Sequence, residues 1–387
     1  MGSKDIAREV VEKAREDLVD LSHRIHANPE LAYQEHNSSA WLAEYLEANG
    51  MVVEKPFCAL DTAFLARAGS GPLHIAICAE YDALPDVGHA CGHNIIATAA
   101  AGAGIALAKV ADEVGLTVSV IGTPAEEGGG GKILLLQRGA FDGVHAAMMV
   151  HPSPIDLLLP SILASQRIEV IYTGKASHAS SAPQLGINAG DALTVAQVAI
   201  GLLRQGMRST DRVHGIVTRG GEAANIIPQK AAATYGVRSR TRAELEDFRP
   251  KVLACFEAGA VATGAKLQVI GTEFAYSELR SDGDIANYYQ QNAEALGRVF
   301  PPVTPRIAES AGSTDMGNVS LEMPAIHPMI GIDSFPAVNH QPEFAAHCAT
   351  PVADKAVLDG AIAMAWTAID CATDIPLRER LLSGPTA

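Results

Sequence analysis

The stretch "LHIAICAEYDALPDVGHACGHNIIATAAAGAGIALAKVADEV", residues 73–114, reads as a buried strand, a short turn and a long apolar helix. Leu73 to Asp82 is dense in residue types that fill a sheet covered on both faces. Asn94 to Val114 is too long for a strand and rich in helix formers. The turn between them carries His89, Cys91 and His93, with Asp82 at the end of the strand. Soft and borderline ligands crowded at the mouth of a helix raise the question of what else reaches that point.

Two further strands answer it. "LTVSVIGTPAEE" (116–127) reads as a strand ending on Glu126 and Glu127, and "HAAMMVHPSP" (145–154) as one ending on His151, with a short helix, "KILLLQRGAF" (132–141), between them. Strands alternating with helices indicate βαβ crossovers, and such sheets bind ligands beyond the carboxyl ends of their strands. Asp82, Cys91, His93, Glu126, Glu127 and His151 are thereby expected at one edge of one sheet. The imidazole, carboxylate and thiolate mixture suits zinc, or manganese where carboxylates dominate. CxxC pairs, the mark of a closed structural zinc site, are absent. A helix N-terminus favours anions, so Cys91 is expected as a thiolate. Of two adjacent glutamates, one can hold metal while the other receives a proton. The run "GGGGK" fails the P-loop spacing, because Ile133 follows Lys132, and reads as a flexible turn into a helix.

Upstream, residues 4–50 read as helix, turn, helix. Downstream, the pattern changes. "QRIEVIYTG" (166–174), "NAGDALTVAQVAIGLLRQGM" (188–207), "VHGIVTRGG" (213–221), "KAAATYGVRS" (230–239), "TRAELEDFRPKVLACFEAGAVATGA" (241–265) and "KLQVIGTEFA" (266–275) give the order β-α-β-β-α-β, the ferredoxin-like arrangement. Helical pattern resumes with "DIANYYQQNAEALGRVF" (284–300). The expected organisation is an α/β domain with a central sheet flanked by helices, residues 1–165 and 278–387, with an α+β domain, 166–277, inserted into it.

Composition narrows the function. The chain has 387 residues, 48% hydrophobic and 19% charged, with a formal net charge of -15. That is the profile of a folded multidomain chain without the basic face that nucleic acid requires. No uncharged apolar run reads as a membrane span, and the charged N-terminus has no secretory h-region. The six cysteines show no framework spacing and read as reduced, which points to the cytoplasm.

The stretches "HANPELAYQE", "AEYDALPDVGHACGHN", "GTPAEEGGGGK", "HPSP", "GKASHASSAPQLGINAGDA", "GGEAANIIPQ", "GSTDMGNVS" and "NHQPEFA" together resemble the M20 family of metallopeptidases and amidohydrolases. The resemblance is to its branch of aminobenzoyl-glutamate hydrolases and aminoacylase-1-like-2 dipeptidases, and it covers nearly the whole chain. It implies a catalytic domain binding two divalent ions, zinc or manganese, and an inserted lid that often dimerises. By motif, Cys91 resembles a bridging ligand. His93, Glu127, His151 and His340 resemble the others, Glu126 the general base, and Asp82 the acid that orients the metal site. His178 resembles the lid residue that stabilises the tetrahedral intermediate, often across a dimer. Asn225 and Arg238 resemble lid residues that hold substrate, with Arg240 the alternative to Arg238.

The implied reaction is metal-assisted hydrolysis of the amide bond of N-acyl amino acids, aminobenzoyl-glutamate-like compounds or dipeptides. The rivals are a catalytically silent metal-binding or regulatory member and a thiol hydrolase using Cys91. Asn94 stands where the branch often has Asp, and Glu80 where relatives have an acid or histidine. The sequence leaves open whether Glu80 touches metal, whether His89 supports the site, and whether Asp315 lines the pocket or forms a turn. His23, His26 and His36 read as structural.

Overall fold

The computed structural model describes residues 2–271, 273–302, 304 and 311–384. The chain divides into two compact units, Met1–Ser161 with Leu279–Ala387, and Ile162–Glu278.

The larger unit is α/β, built on a six-stranded sheet. Its chain-order strands are β1 (Val52–Glu54), β2 (Phe64–Gly69), β3 (Leu73–Ala79), β4 (Leu116–Gly122) and β5 (Ala146–Met148), joined by Ala325–Ile326. Their spatial order is β1, β2, β4, β3, β5 and Ala325–Ile326. β3 is flanked by parallel neighbours on both sides and every one of its residues is buried. β1 and β2 pair antiparallel, as do β2 and β4, so the sheet is mixed. Sequence reading did not anticipate β1 and β2: the first is very short, and "FLARAG" has too few β-branched residues to announce a strand. The expected third strand is also broken. β5 stops at Met148, and His151–Ser153 pairs in parallel with Met329–Gly331 as a separate two-stranded sheet.

Helices α1 (Ser3–Lys13), α2 (Arg15–Ala27) and α3 (His36–Ala48) precede the sheet, and α4 (His93–Ala108) follows β3. The N-terminal region is therefore three helices and not two, α1 and α2 being divided at Ala14. α4 is buried from His93 to Leu107. Its Ala and Gly residues permit close packing: a Cβ on Gly102 would lie 2.9 Å from the Ala361 Cβ, and one on Gly104 2.4 Å from Val120. Ala361 belongs to Pro351–Thr373, a helix long and apolar enough to cross a membrane whose apolar stretch is 83% buried in the fold. It is a core helix.

The smaller unit runs strand Ala164–Thr173, helix Ala189–Leu203, strands Arg212–Arg219 and Lys230–Ser239, helix Arg242–Thr263 and strand Lys266–Ile270. The four strands are antiparallel, with Ala164–Thr173 and Lys230–Ser239 in the centre. This is the β-α-β-β-α-β order expected. Its core is its own, gathered around Tyr172, Leu193, Tyr235, Phe248 and Phe256.

Candidate metal and catalytic centre

Three strand ends and one late loop build the centre, all within the larger unit. β3 leads into Glu80 and Asp82, β4 into Glu126 and Glu127, and β5 towards His151. Between Asp82 and α4, Gly92 takes φ +74°, and a Cβ there would lie 2.3 Å from Pro152 Cγ. Only glycine meets both demands, and it lets Cys91 approach His151. The Cys91 Sγ to His151 Nε2 distance is 3.5 Å, and to His340 Nε2 it is 3.6 Å. The His340 backbone N–H donates to the Ala90 carbonyl at 2.8 Å, which ties the late loop to the turn. His340 and Ala125, the residue before the two glutamates, both hold positive φ (72° and 60°). Such strain persists where surrounding structure fixes it, and it collects at functional sites.

Asp82 organises the centre. It is buried and accepts from the Glu126 N–H at 3.1 Å, the Glu127 N–H at 3.0 Å and His93 Nδ1 at 3.1 Å. Burial pushes its carboxyl up, but His93 and the two N–H groups outweigh burial and hold it below the ordinary range. An ionised carboxylate only accepts, so His93 carries its proton on Nδ1 and turns Nε2 towards the cluster. His151 is set similarly: Nδ1 lies 2.9 Å from the Pro152 carbonyl, which can only accept. Burial and neighbouring His327 push the His151 imidazolium pKa down to about 3, leaving a neutral ring with a lone pair on Nε2.

Two of the donor sets that result contain Cys91: Cys91, His93 and His151, and Cys91, Glu127 and His340. Cys91 is common to both. His93 Nε2 and Glu127 Oε1 are buried without a hydrogen-bond partner. These two partnerless atoms, with the Cys91 sulfur shared between the sets, give S, N and O ligands that fit a pair of divalent cations. Burial, then the charge of Glu127, raises the Cys91 thiol well above its usual range, so the helix terminus does not produce the expected thiolate. A bound cation reverses that balance, because a coordinating thiol loses its proton.

Glu126 is 6% exposed, and burial followed by the charges of Glu80 and Glu127 raises its carboxyl well above the ordinary range. A raised carboxyl beside a metal cluster suits proton transfer.

Other residues fall elsewhere. His89 is buried and stacks on His26, ring centroids 6.2 Å apart. Asn94 donates to Ser22 Oγ and the Cys348 carbonyl, both at 2.9 Å, and so braces α4. His23 pairs with Asp354. Asp315 neither caps its helix nor forms a turn through its side chain; it holds Lys132.

In the smaller unit, His178 and Asn225 lie on adjoining extended segments: the Ala179 N–H donates to the Asn225 carbonyl at 2.9 Å, and His178 bridges Ile226. His178 Nδ1 accepts from the Ser180 and Ser181 N–H groups at 3.3 and 3.2 Å, so Nε2 carries the proton. Arg238 lies opposite Ser165, far from that end, since Lys230 pairs with Thr173. Eight residues of strand put roughly 25 Å between the two ends. Arg240 is exposed beyond the strand.

Sequence reading missed three participants. Glu35 accepts from the Ala125 and Tyr33 N–H groups, both at 2.9 Å, and so holds the strained turn before Glu126. His327 lies tilted against His151, with ring centroids 5.3 Å apart. Lys132 is fully buried between Glu80 and Asp315. The only signal for it was a lysine entering an apolar run.

Comparison with known proteins agrees with this chemistry. The Xaa-Arg dipeptidase of Mus musculus is 38% identical over 380 residues, covering 94% of this chain and 88% of that protein. A p-aminobenzoyl-glutamate hydrolase component of Escherichia coli is 31% identical over 276 residues, covering 66% and 57%. Among solved structures, a dinuclear metal binding peptidase from the M20 family of Bacillus subtilis matches with a TM-score of 0.68 at 21% identity, covering 92% of this chain and 98% of that one. The aminobenzoyl-glutamate utilization protein of Klebsiella pneumoniae gives 0.73 at 17%, covering 96% and 98%. The family model for peptidase family M20/M25/M40 matches residues 76–355. The chain is a hydrolase of peptide or amide bonds, and it belongs to peptidase family M20/M25/M40.

Proposed function

We propose that the protein is a dipeptidase that uses two divalent cations, zinc or manganese, with dipeptides ending in a cationic residue such as arginine among its substrates. The observation that carries this is the pair of donor sets sharing Cys91, with Glu126 beside them. When bound, the cation pair supplies Lewis-acid polarisation of the amide carbonyl and lowers the pKa of water. Glu126 takes the proton of the attacking water and passes it to the leaving amine. Asp82 keeps His93 in one tautomer and fixes the backbone from which Glu126 and Glu127 extend. Cys91, His93, Glu127, His151 and His340 would hold the cations.

In the smaller unit, His178 donates Nε2–H to the carbonyl oxygen as negative charge develops, and Asn225 and Arg238 bind substrate. His178 and Arg238 lie at opposite ends of one small sheet. That supports a homodimer through this unit, in which two copies share the work; exposed Val198, Leu202 and Ile216 supply apolar surface for it. The six free cysteines support a reducing, cytoplasmic setting. Substrate identity rests on the Xaa-Arg dipeptidase similarity; aminobenzoyl-glutamate is the second reading, from the Escherichia coli relative.

The test is a hydrolysis screen over dipeptides with Arg, Lys, Glu and Leu at the C-terminus, and over aminobenzoyl-glutamate, with Mn²⁺ or Zn²⁺ and with a chelator. Turnover of Xaa-Arg dipeptides, lost with chelator and restored by metal, is the expected result. Activity that survives chelation would favour Cys91 as a thiol nucleophile.

A further inference from the structure

Beside the donor sets lies a buried polar trio. Glu80, Lys132 and Asp315 are each 0% exposed. Lys132 Nζ donates to Glu80 Oε1 at 2.5 Å and to Asp315 Oδ1 at 2.7 Å, and the Lys132 backbone N–H donates to Asp315 Oδ2 at 2.8 Å. Both oxygens of Asp315 and one of Glu80 are thus accounted for. The other, Glu80 Oε2, is buried without a hydrogen-bond partner. It lies 3.5 Å from His93 Nε2, itself buried and without a hydrogen-bond partner.

Asp82 accepts from the Nδ1–H of His93, which turns Nε2 towards Glu80 Oε2. Two buried polar atoms facing each other at 3.5 Å without a hydrogen bond are costly, and a metal cation held between them removes the cost. Glu80, His93 and Glu126 place donor atoms within 4.8 Å of one another, which a single ion can span. Lys132 cannot fill that role, because its ammonium is already committed to Oε1 and Asp315.

We propose that Glu80 is a sixth protein ligand of the metal centre, acting at the position that His93 holds, with Lys132 and Asp315 as positioning residues that aim its free oxygen. The proposal rests on the metal-dependent reading above. A carboxylate added to imidazole and thiolate hardens that position and tilts its preference towards Mn²⁺ over Zn²⁺.

The test measures metal directly. Wild type, Glu80→Gln, Lys132→Met and Cys91→Ala are stripped, titrated with Mn²⁺ and Zn²⁺ by calorimetry, and loaded with Co²⁺ for absorption spectroscopy, with circular dichroism as the check of folding. Glu80→Gln keeps an acceptor for Lys132 but loses the anionic oxygen. It is expected to weaken Mn²⁺ at one position by ~10–100-fold, to weaken Zn²⁺ less, and to change the Co²⁺ d–d bands. Lys132→Met, where it folds, is expected to change the same bands in the same direction; a merely structural lysine would leave them alone. Where Lys132→Met does not fold, Glu80→Gln decides. Unchanged Mn²⁺ affinity and an unchanged Co²⁺ spectrum in Glu80→Gln overturn the proposal and show Glu80 to be only a counter-ion of a protonated His93. Wild type that binds no metal overturns the metal reading itself, and Cys91→Ala with undiminished binding would remove the shared ligand from it.

Discussion

The residues assigned to chemistry fall into two groups held by opposite means. Around Cys91, the groups are almost all buried, the pKa values of Asp82, Cys91, Glu126 and His151 are displaced, some up and some down, and most partners lie far away in sequence. Around His178, the side chains are exposed and the hydrogen bonds come from Ser180 and Ser181, two and three residues away. A centre that must keep several charges together needs the fold to offset their desolvation. A group that meets the carbonyl only during the reaction needs local orientation and access. Substitutions in the first group should therefore move metal content and stability, and those in the second should move turnover alone.

The strongest challenge to that division comes from the adjacent glutamates. Glu126→Gln is expected to retain metal yet lose about 10²–10⁴-fold in kcat, the usual scale of general-base catalysis. Glu127→Gln should instead lower metal occupancy, since Glu127 Oε1 lies 3.6 Å from His340 Nε2 in one donor set. Elemental analysis beside kcat separates them, and equal metal loss in both would merge the two roles. His178→Ala comes next, at about 10²–10³-fold in kcat with metal content normal, as for loss of an oxyanion donor. Mixing it with Glu126→Gln under demonstrated subunit exchange should restore part of the activity where the histidine acts across a dimer. Near-normal turnover of His178→Ala would take it out of the reaction.

Asp82→Asn tests the buried group at its hinge. The amide keeps one acceptor but loses the charge that fixes His93. Metal affinity is expected to fall by about 10–100-fold, the range found when the outer partner of a ligand is removed. Calorimetric titration gives the number, and an affinity within about twofold of wild type would show that His93 is oriented by packing alone.

The same contrast explains what could be read from the chain. The strand-helix alternation, the inserted unit and the ligands next to strand ends follow from hydrophobic pattern and from where strands stop, both local properties. His340 became legible only through family resemblance, because nothing in "NHQPEF" announces that its loop returns to Ala90. Glu80, Lys132 and Asp315 were not legible as a trio. They lie on three distant segments, and a buried lysine looks in sequence like any other lysine entering a helix. β1 and β2 were missed because they are held by pairing, β1 on β2 and β2 on β4, and not by their own propensity. Arg238 was named with His178 as a substrate group, and the register of one strand pair places them at opposite ends of a sheet.

The smallest expected effect lies outside the centre and sharpens the comparison from the other side. His74 sits on β3, at the end of the strand away from Glu80, 9% exposed, with Nε2 2.7 Å from Ser119 Oγ. Burial, then the nearby Arg67 charge, pushes its pKa from 6.5 down to about 4. The folded state therefore binds its proton less readily than the unfolded chain does. Stability from this group is fully present above pH 6.5 and is lost as pH falls through 4, because the unfolded state takes up the proton first. The displacement corresponds to about 3 kcal/mol at most, reduced by solvent screening at the strand end. His74→Gln removes the titration while leaving a polar partner for Ser119. Urea unfolding followed between pH 7 and 4 should show wild type losing stability more steeply than the variant, with kcat at pH 7 unchanged between them. Parallel pH profiles would mean that the folded sheet binds the His74 proton as readily as the unfolded chain does. A loss of kcat would mean that burial in this unit is coupled to the reaction over the whole length of β3, and the division between the two groups would then have to be drawn elsewhere.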